Sequence, residues 1–280
     1  MSPRKTDMAM LPDDIVYAIV ARLTAEARLP VDDWAGLLPL LAVCSQWRRV
    51  GVPVVYSQGF IDDQALGPLG VHQRCHSNLE LCASTQNTRH LRTLRIETGP
   101  ARATHAYLGQ VEADHRGVDW SQIRSLTLRQ LGHRPQHMLD FYATIAHKLS
   151  EFITSRMPQI KTLDTIIVDG HPNRDSIGSL LARHYAHRLT TVRSLAPLAL
   201  GGACFAELTR LQLCLSGESQ LPLVLRGTLR HLTLSNVPHD FGWAPLAGGT
   251  GNGLVVFGAL EYMCLYYKSS NGSRDALDEA

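Results

Sequence analysis

The sequence has almost no net charge: 27 Lys and Arg against 25 Asp and Glu leave +2. The basic residues are scattered, with Arg48 and Arg49 the one dense run, in a predicted helix. That balance argues against nucleic acid and against an anionic membrane surface as partners. Long apolar runs are missing too. No stretch reaches the roughly 18 residues of a membrane span; residues 195–208 come nearest, and two glycines interrupt them. The opening MSPRKTDMAM is charged and has no apolar core of signal-peptide length. Six cysteines, at 44, 75, 82, 204, 214 and 264, form no tight spacing pattern and sit mostly among leucines. A reduced cysteine there behaves as a small hydrophobe. These absences point to an intracellular protein, cytoplasmic and/or nuclear, in which the sequon Asn271-Gly272-Ser273 is idle.

Aromatics are scarce, at 6%, but leucine abounds: 41 of 280 residues. Such a bias calls for an architecture with many equivalent aliphatic positions. A repeat is the first expectation. The length allows one large domain or two modest ones.

Two amphipathic segments open the chain. Over 11–23, Leu11, Ile15, Ile19 and Leu23 recur every four residues on one helical stripe, and Pro12 and Asp13 suit its first turn. Over 34–50, Leu37, Leu38, Leu41, Cys44 and Val50 keep helical spacing, with Val43 and Trp47 beside them and Pro39 near a start or a kink. The polar stretch 24–33 joins the two. A unit of about 45 residues is near the lower limit for folding alone. Its apolar residues outnumber what two helices can cover between them, so some should face another surface. That surface is either a separate subunit or the rest of the same chain, with the helices as a cap.

The residues carry a resemblance. Leu11-Pro12-Asp13-Asp14-Ile15, then Ile19 and Leu23, then Leu37-Leu38-Pro39-Leu40-Leu41-Ala42-Val43-Cys44-Ser45-Gln46-Trp47-Arg48 is similar to the F-box family, which opens with Leu-Pro and closes with a Val-Cys-x-x-Trp-Arg ending. It covers about forty of the 280 residues. The link between Leu23 and Leu37 is longer than the family's usual turn. The resemblance implies docking onto the Skp-type adaptor of a cullin–RING (SCF-type) ubiquitin ligase through Leu11, Pro12, Ile15, Ile19, Leu23, Leu37, Leu38, Val43, Cys44 and Trp47.

Downstream, one pattern, L-x-x-L-x-L, keeps returning: Leu91/Leu94/Ile96, Ile123/Leu126/Leu128, Leu163/Ile166/Val168, a weaker Leu189/Val192, Leu208/Leu211/Leu213, Leu229/Leu232/Leu234 and Leu260/Met263/Leu265. Spacings between first positions run from 19 (Leu189 to Leu208) to 40 (Ile123 to Leu163). Helical patterns lie between them. One covers 138–157, with Met138, Tyr142, Ile145, Leu149 and Phe152 in a stripe and Pro158 as its stop; another covers 177–187, capped by Asp175 or Ser176. Strands alternating with helices predict parallel strands with right-handed crossovers. Together these features resemble an irregular leucine-rich-repeat solenoid. The family's asparagine ladder is largely missing, and Asn236 stands one position from its place. The alternative is an ordinary α/β domain with leucine-rich strands.

The expected fold is therefore α/β: an F-box-like helical module over 9–57, a leucine-rich-repeat arc over 58–268 and a polar tail over 269–280. If the leucines point inward, their neighbours form columns on an exposed concave face. One column reads Thr93, Ser125, Thr165, Thr191, Arg210, His231, Tyr262, the next Arg95, Thr127, Ile167, Arg193, Gln212, Thr233, Cys264, with Arg129 and Tyr266 beside them. Tyr and Arg are enriched at binding hot spots. The second partner, an unidentified protein target, is expected here.

Enzyme signatures are missing. Gly248 to Gly253 resembles a phosphate cradle but lacks the Lys-Ser/Thr of a P-loop. His72, Cys75, His76 and Cys82 contain no C-x-x-C pair. Thirteen histidines come without G-x-S-x-G or H-E-x-x-H. No cofactor is implied. A stand-alone repeat scaffold, and more remotely a hydrolase or transferase on an α/β core, remain the competing readings.

Overall fold

A computed structural model describes residues 11–26, 36–62, 76–98, 117–130, 139–167, 176–195, 197–200, 203–215, 228–237 and 259–267. Its helices are α1 (Asp13–Glu26), α2 (Ser45–Val55), α3 (Leu79–Ser84), α4 (Leu139–Arg156) and α5 (Ile177–His184). Its strands are β1 (Gln58–Asp62), β2 (His76–Ser77), β3 (Thr93–Thr98), β4 (Ser125–Gln130), β5 (Thr162–Ile167), β6 (Thr191–Ser194), β7 (Arg210–Cys214), β8 (His231–Val237) and β9 (Tyr262–Tyr267). They form one open sheet in the order β2-β1-β3-β4-β5-β6-β7-β8-β9. All its pairings are parallel except the short antiparallel β2 at the edge. The chain is α/β with eight parallel strands laid down in chain order.

One hydrogen-bond pattern generates that order. The carbonyl just ahead of each strand accepts both N–H groups that open the next. Ser57 receives Arg92 and Thr93; Arg92 receives Arg124 and Ser125; Arg124 receives Lys161 and Thr162. Lys161, Thr190, Thr209 and Arg230 continue in the same way, ending on Glu261 and Tyr262. Each rung therefore starts in register with the last, whatever length of chain lies between.

That register corrects two sequence expectations. In the third rung the inward triplet is Ile160/Leu163/Thr165, not Leu163/Ile166/Val168: Leu163 pairs with Leu126 and Thr165 with Leu128. Ile160, Leu163 and Thr165 are all fully buried, whereas Ile166 is half-exposed and Val168 lies outside the described residues. A leucine search misses this frame because its third place holds a threonine. Thr165 Oγ1 and Ser194 Oγ, the same place one rung on, lie 2.7 Å apart in a hydrogen bond, which satisfies two buried hydroxyls together.

The second correction is an added rung. β1 pairs in parallel with β3, Gly59 opposite Leu94 and Ile61 opposite Ile96. Its triplet is Tyr56/Gly59/Ile61, with glycine where a leucine was sought. A Cβ on Gly59 would stand 2.8 Å from Leu79 Cδ2 and 3.0 Å from Leu91 Cδ1, so α3 closes on the sheet only because that side chain is missing. Gly59→Ala is expected to cost about 1–3 kcal/mol through overpacking, read as a lower denaturant midpoint at unchanged slope.

The core runs the length of the sheet on the helix-bearing face, from Ile61 to Val237. In α4 the buried stripe is Leu149 and Ile153, continued by Met157 just past its end, while Phe152 meets the edge of Trp120 with ring centroids 5.5 Å apart. Met138 and the side chains of Tyr142 and Ile145 lie outside the described residues. The Tyr185 hydroxyl donates to the Met157 carbonyl at 2.9 Å, joining the end of α5 to the end of α4. Ser176 caps α5 by accepting from Ser179 N, and Asp175 is outside the described residues. Asn236, at φ 57°, donates through Nδ2 to the Leu215 carbonyl at 2.7 Å, tying a bulge in β8 to the preceding rung.

Candidate docking surfaces

The N-terminal helices form a second, smaller core: Val16, Val20, Leu37, Leu41, Val55 and Tyr56, joined by Phe60 of β1 and Cys82 of α3. Gly51 makes the closest approach, since a Cβ there would lie 2.7 Å from Leu41 Cδ2. The predicted second helix is divided. Leu38–Ala42 is a 3-10 turn, Cys44 is extended, and α2 starts only at Ser45 and runs to Val55. Pro39 stands in the first turn of that 3-10 segment, where its missing N–H is tolerated.

α1 and α2 are latched at the start of α1. Gln46, buried, donates through Nε2 to the Leu11 carbonyl at 2.5 Å and to Asp13 Oδ1 at 2.9 Å. Arg49 Nη2 lies 2.7 Å from Asp13 Oδ2. The Gln46 hydrogen bond, then the Arg49 bond, holds the Asp13 carboxyl below its ordinary pKa. The Pro12 carbonyl accepts from Ile15 and Val16 and so begins the helix.

The face that α1 turns inward is not the stripe singled out in the sequence. Val16 and Val20 are fully buried and Thr24 nearly so, whereas Leu11, Ile15, Ile19 and Leu23 are 36–44% exposed. Tyr17 and Val43 are exposed as well. Pro12 and Cys44 stand open, while Leu37 is buried and Leu38 and Trp47 are half-buried against the small core. The ten residues thus separate into an outward group of seven and an inward group of three that holds the helices together. Both valines that make the internal seam were passed over, because a four-residue period through leucine and isoleucine hid the adjacent one.

The second surface is the sheet face opposite the long core. Its first column is Thr93, Ser125, Thr162, Thr191, Arg210, His231 and Tyr262, and its second is Arg95, Thr127, Asp164, Arg193, Gln212, Thr233 and Cys264. Thr162 and Asp164 replace the expected Thr165 and Ile167, following the corrected register of β5. Thr165 is interior.

Charge gathers at the β3–β6 end of this face. Glu97 is buried between two arginines, ion-paired with Arg95 and with its Oε1 3.7 Å from Arg129 Nη1. Asp164 lies in register with Arg193 on the next strand. Burial raises its pKa, an effect opposed by Arg193 and then Arg95. At the other end the face becomes aromatic: the rings of His231 and Tyr262 lie 6.1 Å apart, and Tyr262 and Tyr266 are exposed. The neighbouring Cys264 side chain raises the pKa of both tyrosine hydroxyls.

Of the group His72, Cys75, His76 and Cys82, His72 and Cys75 lie outside the described residues, and Cys82 is buried, its thiol pushed up to about 11 by desolvation. Among the described residues no group of three His, Cys, Asp or Glu could hold a metal ion, and no helix is long and apolar enough to cross a membrane. The glycine-rich 248–253 stretch is also outside them. No model of a known protein family matches the chain, and a search of curated proteins finds no match either.

Proposed function

We propose that the chain is a non-catalytic recruiting adaptor of a cullin–RING ubiquitin ligase, in which the N-terminal helices dock a Skp-type adaptor subunit and the open sheet face holds a protein target. The observation that carries this reading is the outward stripe of α1. Leu11, Ile15, Ile19 and Leu23 are apolar, aligned and exposed while α1 already packs its other face through Val16 and Val20. A helix with two apolar faces needs two neighbours, and only one is supplied among the described residues. The F-box resemblance names the second.

The remainder is read as a leucine-rich-repeat arc. In support stand the strand order, the repeated carbonyl that opens every rung after the first, and the one-sided burial of the triplets. Its open face offers arginines at one end and tyrosines at the other, the residue types that dominate binding energy when desolvated.

A second reading has its own observation. Phe60 and Cys82 belong to the same small core as α1 and α2, so the helices also close the first rung of the sheet, as a cap on a stand-alone scaffold would. One experiment separates the two. Wild-type protein should co-purify with a Skp-type adaptor, and Leu11→Ala with Pro12→Ala should abolish that while leaving the thermal transition in place. Binding that survives the double change, or a wild type that never binds, leaves only the scaffold.

A further inference from the structure

We infer that β9 pairs antiparallel with the β9 of a second copy of this chain, about a two-fold axis at Cys264. The two ends of the sheet are treated differently. At the first end β1 is flanked by β2 and shares a core with α1 and α2. At the other end β9 has β8 on one side and, among the described residues, no strand on the other. The consequence shows in the middle position of the triplet. Leu94, Leu126, Leu163, Val192, Leu211 and Leu232 are all buried, and Met263, their equivalent, is 44% exposed. Among the described residues β9 is the outermost rung, and Tyr-Met-Cys-Leu-Tyr-Tyr is not the polar end that keeps a stack of repeats soluble. It has no charge and no proline, two of the devices that ordinarily keep an edge strand from pairing.

The strand's own sequence selects the occupant. In an antiparallel pair, directly opposed residues point to the same side. A two-fold at Cys264 sets Met263 against Leu265 of the copy on the core side. It sets Tyr262 against Tyr266 of the copy, and Cys264 against itself, on the open side. Aliphatic thus meets aliphatic at Met263/Leu265 and aromatic meets aromatic at Tyr262/Tyr266; Tyr267 falls opposite Glu261, and no like charges are opposed. The interface is isologous and closes at two copies. The pairing would join the open faces of both copies into one continuous surface, a consequence independent of whether the first helices dock an adaptor.

Light scattering of the full chain, read across protein concentration, should give twice the 30.9 kDa mass, and Met263→Lys should return it to the single-chain mass. Directly opposed antiparallel residues lie about 4.5–5.5 Å apart at Cα, within the span a disulfide needs. Diamide, which removes two electrons and two protons from a thiol pair, should therefore join wild-type copies through Cys264, and Cys264→Ser should remain dimeric yet lose that link. The link is read on the wild type, so it decides the matter even if Met263→Lys fails to fold. A wild type that stays single-chain up to its solubility limit overturns the inference. So does a dimer whose diamide link maps only to another cysteine.

Discussion

Leu126→Ala is expected to lower the unfolding free energy by about 2–5 kcal/mol, while Thr127→Ala beside it should change stability by no more than about 0.5 kcal/mol. Leu126 is fully buried, in register between Leu94 and Leu163 on the neighbouring strands. Truncation there leaves a void in a stack that close packing on both sides prevents from collapsing. Thr127 is half-exposed on the opposite face. The comparison tests the alternation that every other inference about the sheet uses. Denaturant melts of the two variants at equal slope supply the measurement. Equal losses would mean that β4 is not one-sided and that its open face is not a surface.

The second large effect should come from two adjacent residues of α1. Ile19→Asp places a charge on the exposed stripe, where water receives it, so the fold should persist within about 0.5 kcal/mol. Adaptor binding should be lost, because an apolar contact would have to desolvate the carboxylate. Val20→Asp puts the same group into the seam with α2, where an uncompensated buried charge costs about 3–5 kcal/mol. That variant should lose the helical unit itself, seen as a drop in helical circular dichroism and a broadened melt. Should Ile19→Asp unfold the protein and Val20→Asp leave it intact, the helix would be facing the other way and the docking proposal would fall with it.

Much of the sheet was legible beforehand, for a definite reason. Where a rung carries leucine or isoleucine at all three inward places, as at Leu91/Leu94/Ile96 and Leu229/Leu232/Leu234, the period of two is unambiguous. It failed where another residue could serve the same place. Gly59 was invisible because its role depends on the approach of Leu79 and Leu91. Thr165 was assigned outward because its hydroxyl is tolerable inside only through Ser194, 29 residues later in the chain. Single-strand patterns carry no information about a partner that distant. The interval between rungs could not correct the error either, since its length varies freely.

The α1 stripe shows the same division. Its period was plain from Leu11, Ile15, Ile19 and Leu23, yet nothing local distinguishes an apolar stripe that packs inward from one that stays open. Val16 and Val20 give an equally regular stripe one residue on. The choice between them was made by Gly51 and Leu41, which leave room for the valines, and by the Gln46 and Arg49 contacts to Asp13 that set the rotation of the helix.

By itself, the chain of residues determined the α/β class, the parallel strands and most of their inward positions, because alternation and helical period are consequences of backbone geometry. It also named the outward residues of six rungs and both apolar segments of the N-terminal unit. Only the assembled structure decided which apolar face stays open, which polar hydroxyls are interior, and that a glycine takes the middle inward place of the first rung. Those outcomes depend on contacts between segments far apart in the chain, and such contacts exist only once the sheet has formed.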